Sequence, residues 1–220
     1  MIAILSLFIT SKEVSDLISY CLDIGITTFD HADIYGGYTT EADFGKGFKS
    51  SGVKRQNIQL ISKCGIQFDA EARPNKVKHY DYSRDYIIWS VEKSLKNLQT
   101  DYLDFLLLHR SSPLMESDEI SEAISRLVKE GKIKNFGVSN FSSSQIEMLE
   151  TAIPVSANQV EFSLTSNKVM YDGTLDDCKA NKRMGMSWSP LGAYFKEDTP
   201  QVKRIKKAIQ SLMEKYEASA

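Results

Sequence analysis

The chain has 220 residues and a formal net charge of -2, which leaves no basic footprint for nucleic acid or an anionic membrane surface. Hydrophobic residues are 42% and charged residues 25%, the balance of a soluble globular protein able to bury a full core in one large domain. Cys21, Cys64 and Cys178 are scattered and form no CxxC pair, so a disulfide framework or zinc ribbon is disfavoured and a reducing, cytoplasmic setting is expected.

The opening apolar run, residues 2–9, has no basic leader or small-residue cleavage site and is far too short to span a bilayer. Val14, Leu17, Ile18, Cys21 and Leu22 then recur at helical spacing, predicting a helix over 11–22 with Ser11 as its N-cap and Gly25 at its end. Residues 26–29 read as a strand that delivers Asp30 and, in the loop beyond, Tyr35 before the Gly36-Gly37 turn. A second helix is expected over 40–49, with Ala42, Phe44 and Phe48 inward and Gly52 closing it.

The strand 58–62 runs into Lys63. Residues 67–82 follow, polar, of mixed charge and without periodicity, a loop long enough to suggest a function such as a lid. Ser83 caps a strong helix, Arg84–Leu98, with Ile87, Ile88, Val91, Leu95 and Leu98 on one face. The strand 102–108 is almost wholly apolar towards its end, as expected when both faces are buried in a parallel sheet, and it delivers His109-Arg110. Further units are a helix 117–130, a strand 134–138 ending in Ser139-Asn140, a helix 142–151, a strand 156–162 carrying Asn158, Gln159 and Glu161, and a helix 173–181. The strand 184–187 leads into Trp188-Ser189-Pro190-Leu191-Gly192, and a last amphipathic helix, 201–216, turns Val202, Ile205, Ile209 and Leu212 inward.

Regular alternation of strand and helix means a parallel α/β fold. A doubly wound dinucleotide-binding sheet would carry GxGxxG after its first strand, and this chain has none. A β/α barrel instead collects its site at C-terminal strand ends. Asp30, Lys63, His109, Asn140, Gln159 and Trp188 all stand at or near such ends. The expected architecture is therefore a parallel (β/α)8 barrel of TIM type, a single domain over residues 1–220 with about seven of its eight units present.

Asp30, Tyr35, Lys63 and His109 then become neighbours. A tyrosine hydroxyl ordinarily titrates near 10, too high for easy proton transfer at neutral pH. A lysine ammonium at 4 Å favours a phenolate by roughly 4 kcal/mol at an effective dielectric near 20. A buried carboxylate keeps such a lysine charged, and a histidine can orient a substrate oxygen. This set suits proton donation to a carbonyl oxygen as charge develops on it, with no metal and no nucleophilic serine or cysteine.

These residues resemble the aldo-keto reductase family. Asp-x-Ala-x-x-Tyr-Gly after the second strand, Ser-Lys after the third, Leu-Leu-His after the fourth, Gly137-Val138-Ser139-Asn140-Phe141, Asn158-Gln159-Val160-Glu161 and Trp188-Ser189-Pro190-Leu191-Gly192 match it in order and spacing from about residue 11 onward. Asp-His-Ala-Asp-Ile-Tyr-Gly-Gly-Tyr and Leu-His-Arg look most like its YdhF-type oxidoreductase branch. The resemblance implies hydride transfer from NADPH, or less often NADH, to a small-molecule aldehyde or ketone. It implies Tyr35 as general acid, Lys63 and Asp30 as its tuning pair, and His109 as the substrate orienter. Ser139, Asn140 and Gln159 would hold the nicotinamide amide, Trp188 would stack on its ring, and Ser189, Leu191 and Gly192 would meet the pyrophosphate through loop backbone.

Residues 1–10 depart from the family's Gly-rich first strand, and the family's eighth strand has no counterpart after the last helix. The expectation is a truncated barrel, with tight cofactor binding most affected. Singly, each site residue also has a plain reading: Tyr35 and Lys63 as solvated loop groups, His109 as a satisfied core histidine, Asp30 as a turn cap, Trp188 as core, Cys64 as a small buried hydrophobe. His31 is assigned no role. The alternative function is an inactive fragment or a regulatory binding protein on the same scaffold; the intact four-residue set argues for catalysis.

Overall fold

A computed structural model of the chain describes residues 2–3, 10–196 and 198–218. The chain divides into two compact units, residues 1–156 and 157–220.

The first unit is a parallel sheet with helices between its strands. Strand β1 (Ile2–Ala3) pairs with β2 (Thr28–Asp30), β2 with β3 (Gln59–Cys64), β3 with β6 (Leu103–Leu108) and β6 with β7 (Ile133–Ser139), all parallel. The opening apolar run thus supplies a strand at residues 2–3, and residues 4–9 lie outside the described residues. The crossovers are α1 (Ser11–Asp23), α2 (Thr40–Ser51), α3 (Arg84–Leu98), α4 (Ser117–Lys129) and α5 (Ser143–Glu150). Each helix buries one stripe: Val14, Ile18 and Cys21 of α1, Phe44 and Phe48 of α2, Ile87, Val91 and Leu98 of α3, Ile120, Ile124 and Leu127 of α4. These meet Phe29, Leu60, Leu106, Leu108 and Val138 from the strands in one apolar core.

Several boundaries differ from the sequence reading for local reasons. Thr10, not Ser11, caps α1, because Glu13 stands at the third helical position and closes a reciprocal capping box with it. Ser142 likewise caps α5 from outside, boxed with Gln145. Ser83 caps α3 as expected. The polar stretch after Lys63 is not wholly irregular. Its two ends form a short antiparallel ladder, β4 (Ile66–Gln67) with β5 (His79–Tyr80), and Ala70 bridges to Arg73.

Register decides which side chains face the helices. Ser62 Oγ donates to Glu41 Oε1 on α2, so Ser62 points at the helix layer and Lys63, its neighbour, points the other way. Lys63 is registered with Leu107 and Leu107 with Gly137, while Asp30 is registered with Ile61, two residues before Lys63. By the two-residue period, Asp30, Lys63, His109 and Ser139 belong to the face opposite the one Ser62 turns to α2.

The second unit pairs β8 (Ala157–Glu161) in parallel with β9 (Met184–Trp188) and carries α6 (Thr174–Ala180) and α7 (Pro200–Tyr216). Thr199 caps α7 and Pro200 occupies its first turn, where a missing N–H costs nothing. The inward stripe expected for α7 is only partly realised: Val202 is buried, but Leu212 is 52% exposed. Periodicity identifies a helix's apolar stripe; it does not say how much of that stripe a neighbour covers. Among the described residues no helix is long and apolar enough to cross a membrane.

Candidate active site

The ammonium of Lys63 organises the face turned away from α2. Lys63 is 1% exposed, and its Nζ donates to Asp30 Oδ1 at 2.7 Å, to the His31 backbone carbonyl at 2.8 Å and to Tyr35 Oη at 3.4 Å. An ammonium has three protons, and here each has an oxygen. A buried lysine is tolerable only with such partners, since an unpaired buried charge costs several kcal/mol. The ion pair with Asp30 supplies the counter-charge.

Tyr35 comes from the turn after β2. That turn is fixed by backbone bonds to the next strand, with His31 N–H donating to Ile61 O and Asp33 N–H to Lys63 O, and by Tyr35 N–H donating to Ala32 O. His109 arrives one residue past β6, where its N–H still donates to Cys64 O and extends the ladder. Its ring stands edge-on to Tyr35, with centroids 5.9 Å apart. Burial, then the charges of Lys63, Arg110 and Lys78, hold the His109 imidazole down to about 3, so it is neutral at physiological pH. A neutral imidazole keeps one N–H to give and adds no second positive charge beside Lys63.

The structure therefore brings Asp30, Tyr35, Lys63 and His109 together. On the same unit, Ser139 ends β7 in a buried position, and Asn140 follows with φ 61°, its side-chain amide donating to Ser139 Oγ at 2.8 Å. In the second unit Gln159 is buried on β8 and Trp188 ends β9 half-buried. The loop that follows is tightly wound. Ser189 has φ 47°, Gly192 has φ 54°, and Gly192 N–H donates to Ser189 O. A Cβ at Gly192 would stand 2.1 Å from Thr165 Oγ1, so only glycine fits. Leu191 in this loop is exposed.

Two features escaped the sequence reading. His31 contributes through its backbone, as the third acceptor of Lys63, while its ring packs 4.4 Å from Phe44 with neither ring nitrogen hydrogen-bonded. Behind the tetrad, on the helix side, lies a buried carboxyl pair, Asp33 and Glu41. Glu41 accepts from Ser62 and Asn97; Asp33 accepts from Tyr86 and Ser90 on α3. Asp33 lies two residues before Tyr35, and that proximity was the available signal. Cys64 is buried and its thiol is pushed well up, chiefly by burial, which fits a small hydrophobe rather than a nucleophile.

Comparison with known proteins gives one consistent result. Residues 3–215 match the aldo/keto reductase family. The chain is 45% identical over 208 residues to the uncharacterized oxidoreductase YcsN of Bacillus subtilis, covering 92% of this chain and 69% of that one. It is 42% identical over 204 residues to the oxidoreductase YdhF of Escherichia coli, covering 91% and 68%. It is also 42% identical over 178 residues to a 6-dehydroglucose reductase of Agrobacterium fabrum, covering 80% and 60%. Among solved structures, the thermostable aldo-keto reductase Tm1743 superposes with a TM-score of 0.77 at 26% identity, over 95% of this chain and 70% of that one.

Proposed function

The chain belongs to the aldo/keto reductase family of carbonyl-reducing oxidoreductases with a β/α-barrel fold, and from that premise we propose that it reduces an aldehyde or ketone with NADPH, using Tyr35 as the general acid. The observation that carries this reading is the saturated ammonium of Lys63, held by Asp30 and the His31 carbonyl with its remaining proton on the Tyr35 oxygen.

The residues present fit a nicotinamide dinucleotide in kind. Ser139, Asn140 and Gln159 offer the hydroxyl and amide groups that pair with a carboxamide, Trp188 offers an aromatic face, and the wound backbone at Ser189, Leu191 and Gly192 suits a pyrophosphate. When bound, the cofactor supplies the hydride. The protein's work is to handle the oxygen. His109 donates its imidazole N–H to the carbonyl oxygen and aims it at Tyr35. As negative charge grows on that oxygen, Tyr35 Oη passes its proton across. The Lys63 ammonium stabilises the phenolate left behind, and Asp30 keeps that ammonium in place.

The test uses the 220-residue chain itself. NADPH binding is followed by fluorescence titration, and carbonyl-dependent NADPH loss is followed with a panel of aldehydes and ketones that includes 6-dehydroglucose, the substrate named for one relative. Binding with turnover is expected. Absence of both up to millimolar cofactor overturns the proposal.

A further inference from the structure

We propose that Arg73 and Asp33 are positioning residues for the Tyr35 chemistry: by closing on Asp33, Arg73 fastens residues 68–82 to the turn that carries Tyr35 and so fixes the phenol over Lys63. The role in turnover rests on the function proposed above; the fastening itself does not.

Arg73 reaches inward from a loop that is otherwise largely exposed. Its guanidinium lies 4.0 Å from the Tyr38 ring centroid and 4.6 Å from that of Trp89. It donates to Tyr86 Oη at 3.0 Å and to Gln67 Oε1 at 3.3 Å, and it stands 3.9 Å from Asp33 Oδ2. Planar stacking with forked donation is what guanidinium does and an ammonium cannot. Asn75 bonds back within the loop through its amide, His79 bonds the Val77 carbonyl and Tyr80 stacks on Tyr82, while Val77 is 67% exposed. The two ends of the loop are held by Phe68 on Tyr38 and by the β4–β5 ladder, and between them, over residues 69–78, the side-chain hold on the rest of the protein is that of Arg73.

The other end of the grip is the catalytic turn. Asp33 lies two residues before Tyr35, and its N–H bonds the carbonyl of Lys63. Its carboxyl is tied to α3 through Tyr86 and Ser90. Tyr38 lies three residues after Tyr35, at φ 71°; its hydroxyl accepts from Phe68 N–H at 3.0 Å and its ring stacks on Phe68 at 5.0 Å. The loop thus grips the turn on both sides of the proposed acid.

The grip also depends on charge. Facing Asp33 are Glu41 from α2, Arg73 and Tyr82 from the loop, Tyr86 from α3, Tyr38 from its own turn and Cys64 from β3. Burial first and Glu41 second push the Asp33 carboxyl up to about 7, and its Oδ1 is buried without a hydrogen-bond partner. Asp33 thus exchanges its proton in the neutral range, and Arg73 is held more firmly as pH rises through it.

Amide hydrogen exchange on the whole chain tests the fastening, and steady-state kinetics test its use. Arg73→Gln is expected to speed exchange over 68–82 and at the amides of Tyr35, Tyr38 and Thr39 on the order of tenfold. It should lower kcat by on the order of ten- to a hundredfold, with KM for NADPH held within about twofold. Arg73→Lys should recover part of both losses. In the wild type, protection over 68–82, which is the exchange rate divided into the intrinsic base-catalysed rate at each pH, should rise as pH rises through about 7, and the isosteric Asp33→Asn should abolish that change. Unaltered exchange at Tyr35, Tyr38 and Thr39 in Arg73→Gln, or unaltered kcat in that variant of an active wild type, overturns the proposal. A wild type that reduces no carbonyl overturns the function proposed above, and the exchange measurements then decide the fastening alone.

Discussion

Lys63 and Tyr35 meet at 3.4 Å although they come from a strand and from the turn of the preceding β-α unit, and the same ammonium holds Asp30 at 2.7 Å. Stability and chemistry are therefore tied at one atom. Lys63→Met takes the ammonium away from a buried carboxylate, which should cost about 3–5 kcal/mol, because removing one partner of a buried pair costs far more than the pair contributes. Adding Asp30→Leu should return most of that stability by removing the stranded charge, while reductase activity stays lost. Denaturant melts and NADPH-linked turnover of the wild type, the single variant and the double variant separate the two effects. A double variant with turnover restored would remove Lys63 from the proposed mechanism.

His31 and His109 predict a specific acid sensitivity. Burial, followed by the charge of Lys63, holds both imidazoles down to about 3 in the folded chain, against an ordinary value of 6.5. Between those limits the unfolded chain binds protons that the folded chain refuses. Their contribution is complete above 6.5 and is lost as pH falls towards 3. Asp33 acts in the opposite sense, since its carboxyl is raised to about 7 from 3.8, and its folded form holds a proton through that window. His31→Leu removes one of the two acid-sensitive groups at a position whose ring nitrogens have no hydrogen-bond partner. The variant should be more stable than the wild type below about pH 6, with the gain growing as pH falls, and about equal or up to about 1 kcal/mol better at neutral pH. Urea midpoints across the range check this. Parallel curves for variant and wild type would show that His31 does not titrate on unfolding.

The convergence of Asp30, Lys63 and His109 was legible in the sequence because each stands at or just past the end of an apolar run, with Tyr35 in the loop five residues after Asp30, and the two-residue period of neighbouring parallel strands places strand-end residues on one face. The helices were legible for the same reason, since α3 and α4 show unbroken apolar stripes and α3 begins at a serine cap. What stayed hidden depends on tertiary approach. Nothing in the spacing of Arg73 marks it as the residue of a polar loop that turns inward. The partners it finds, Tyr38, Tyr86, Trp89 and Asp33, lie up to 40 residues away on a turn and a helix. His31 was hidden in another way, because its contribution to Lys63 is a backbone carbonyl that any residue would present. The apolar stripe of α7 misled, because periodicity records a preference for burial and not its extent.

Gly192 tests the cofactor assignment apart from the tetrad. It combines φ 54° with a position where a Cβ would stand 2.1 Å from Thr165 Oγ1 and 2.7 Å from Ser163 Oγ. Gly192→Ala must push the loop away from those hydroxyls, one of which accepts the Ala193 N–H. If this loop meets the pyrophosphate, NADPH affinity should fall on the order of tenfold or more, since wound backbone donors lose alignment together. Saturating NADPH should then restore kcat, because no group of the tetrad has moved. An unchanged titration would take this loop out of the cofactor site.

Gly65 links backbone strain to the placement of His109. It has φ 111°, and a Cβ there would stand 1.9 Å from Tyr82 Cε1, inside the ring's van der Waals surface. Tyr82 in turn donates its hydroxyl to Arg110 O and accepts Arg110 N–H, clamping the backbone immediately after His109. Gly65→Ala therefore cannot be absorbed at Gly65; it drives Tyr82 outward, and Arg110 with it. Overpacking of this kind should cost about 1–3 kcal/mol, and the disfavoured backbone of a non-glycine residue adds on the order of 1 kcal/mol or more. The catalytic signature should be a raised KM for the carbonyl and a lowered kcat, with NADPH affinity near wild type. Adding Tyr82→Leu relieves the clash but deletes the clamp, so it should return part of the stability while the carbonyl KM stays high. Recovery of both would mean that the Tyr82–Arg110 clamp does not set the position of His109, and that the strand ladder from Cys64 to the His109 N–H is sufficient alone.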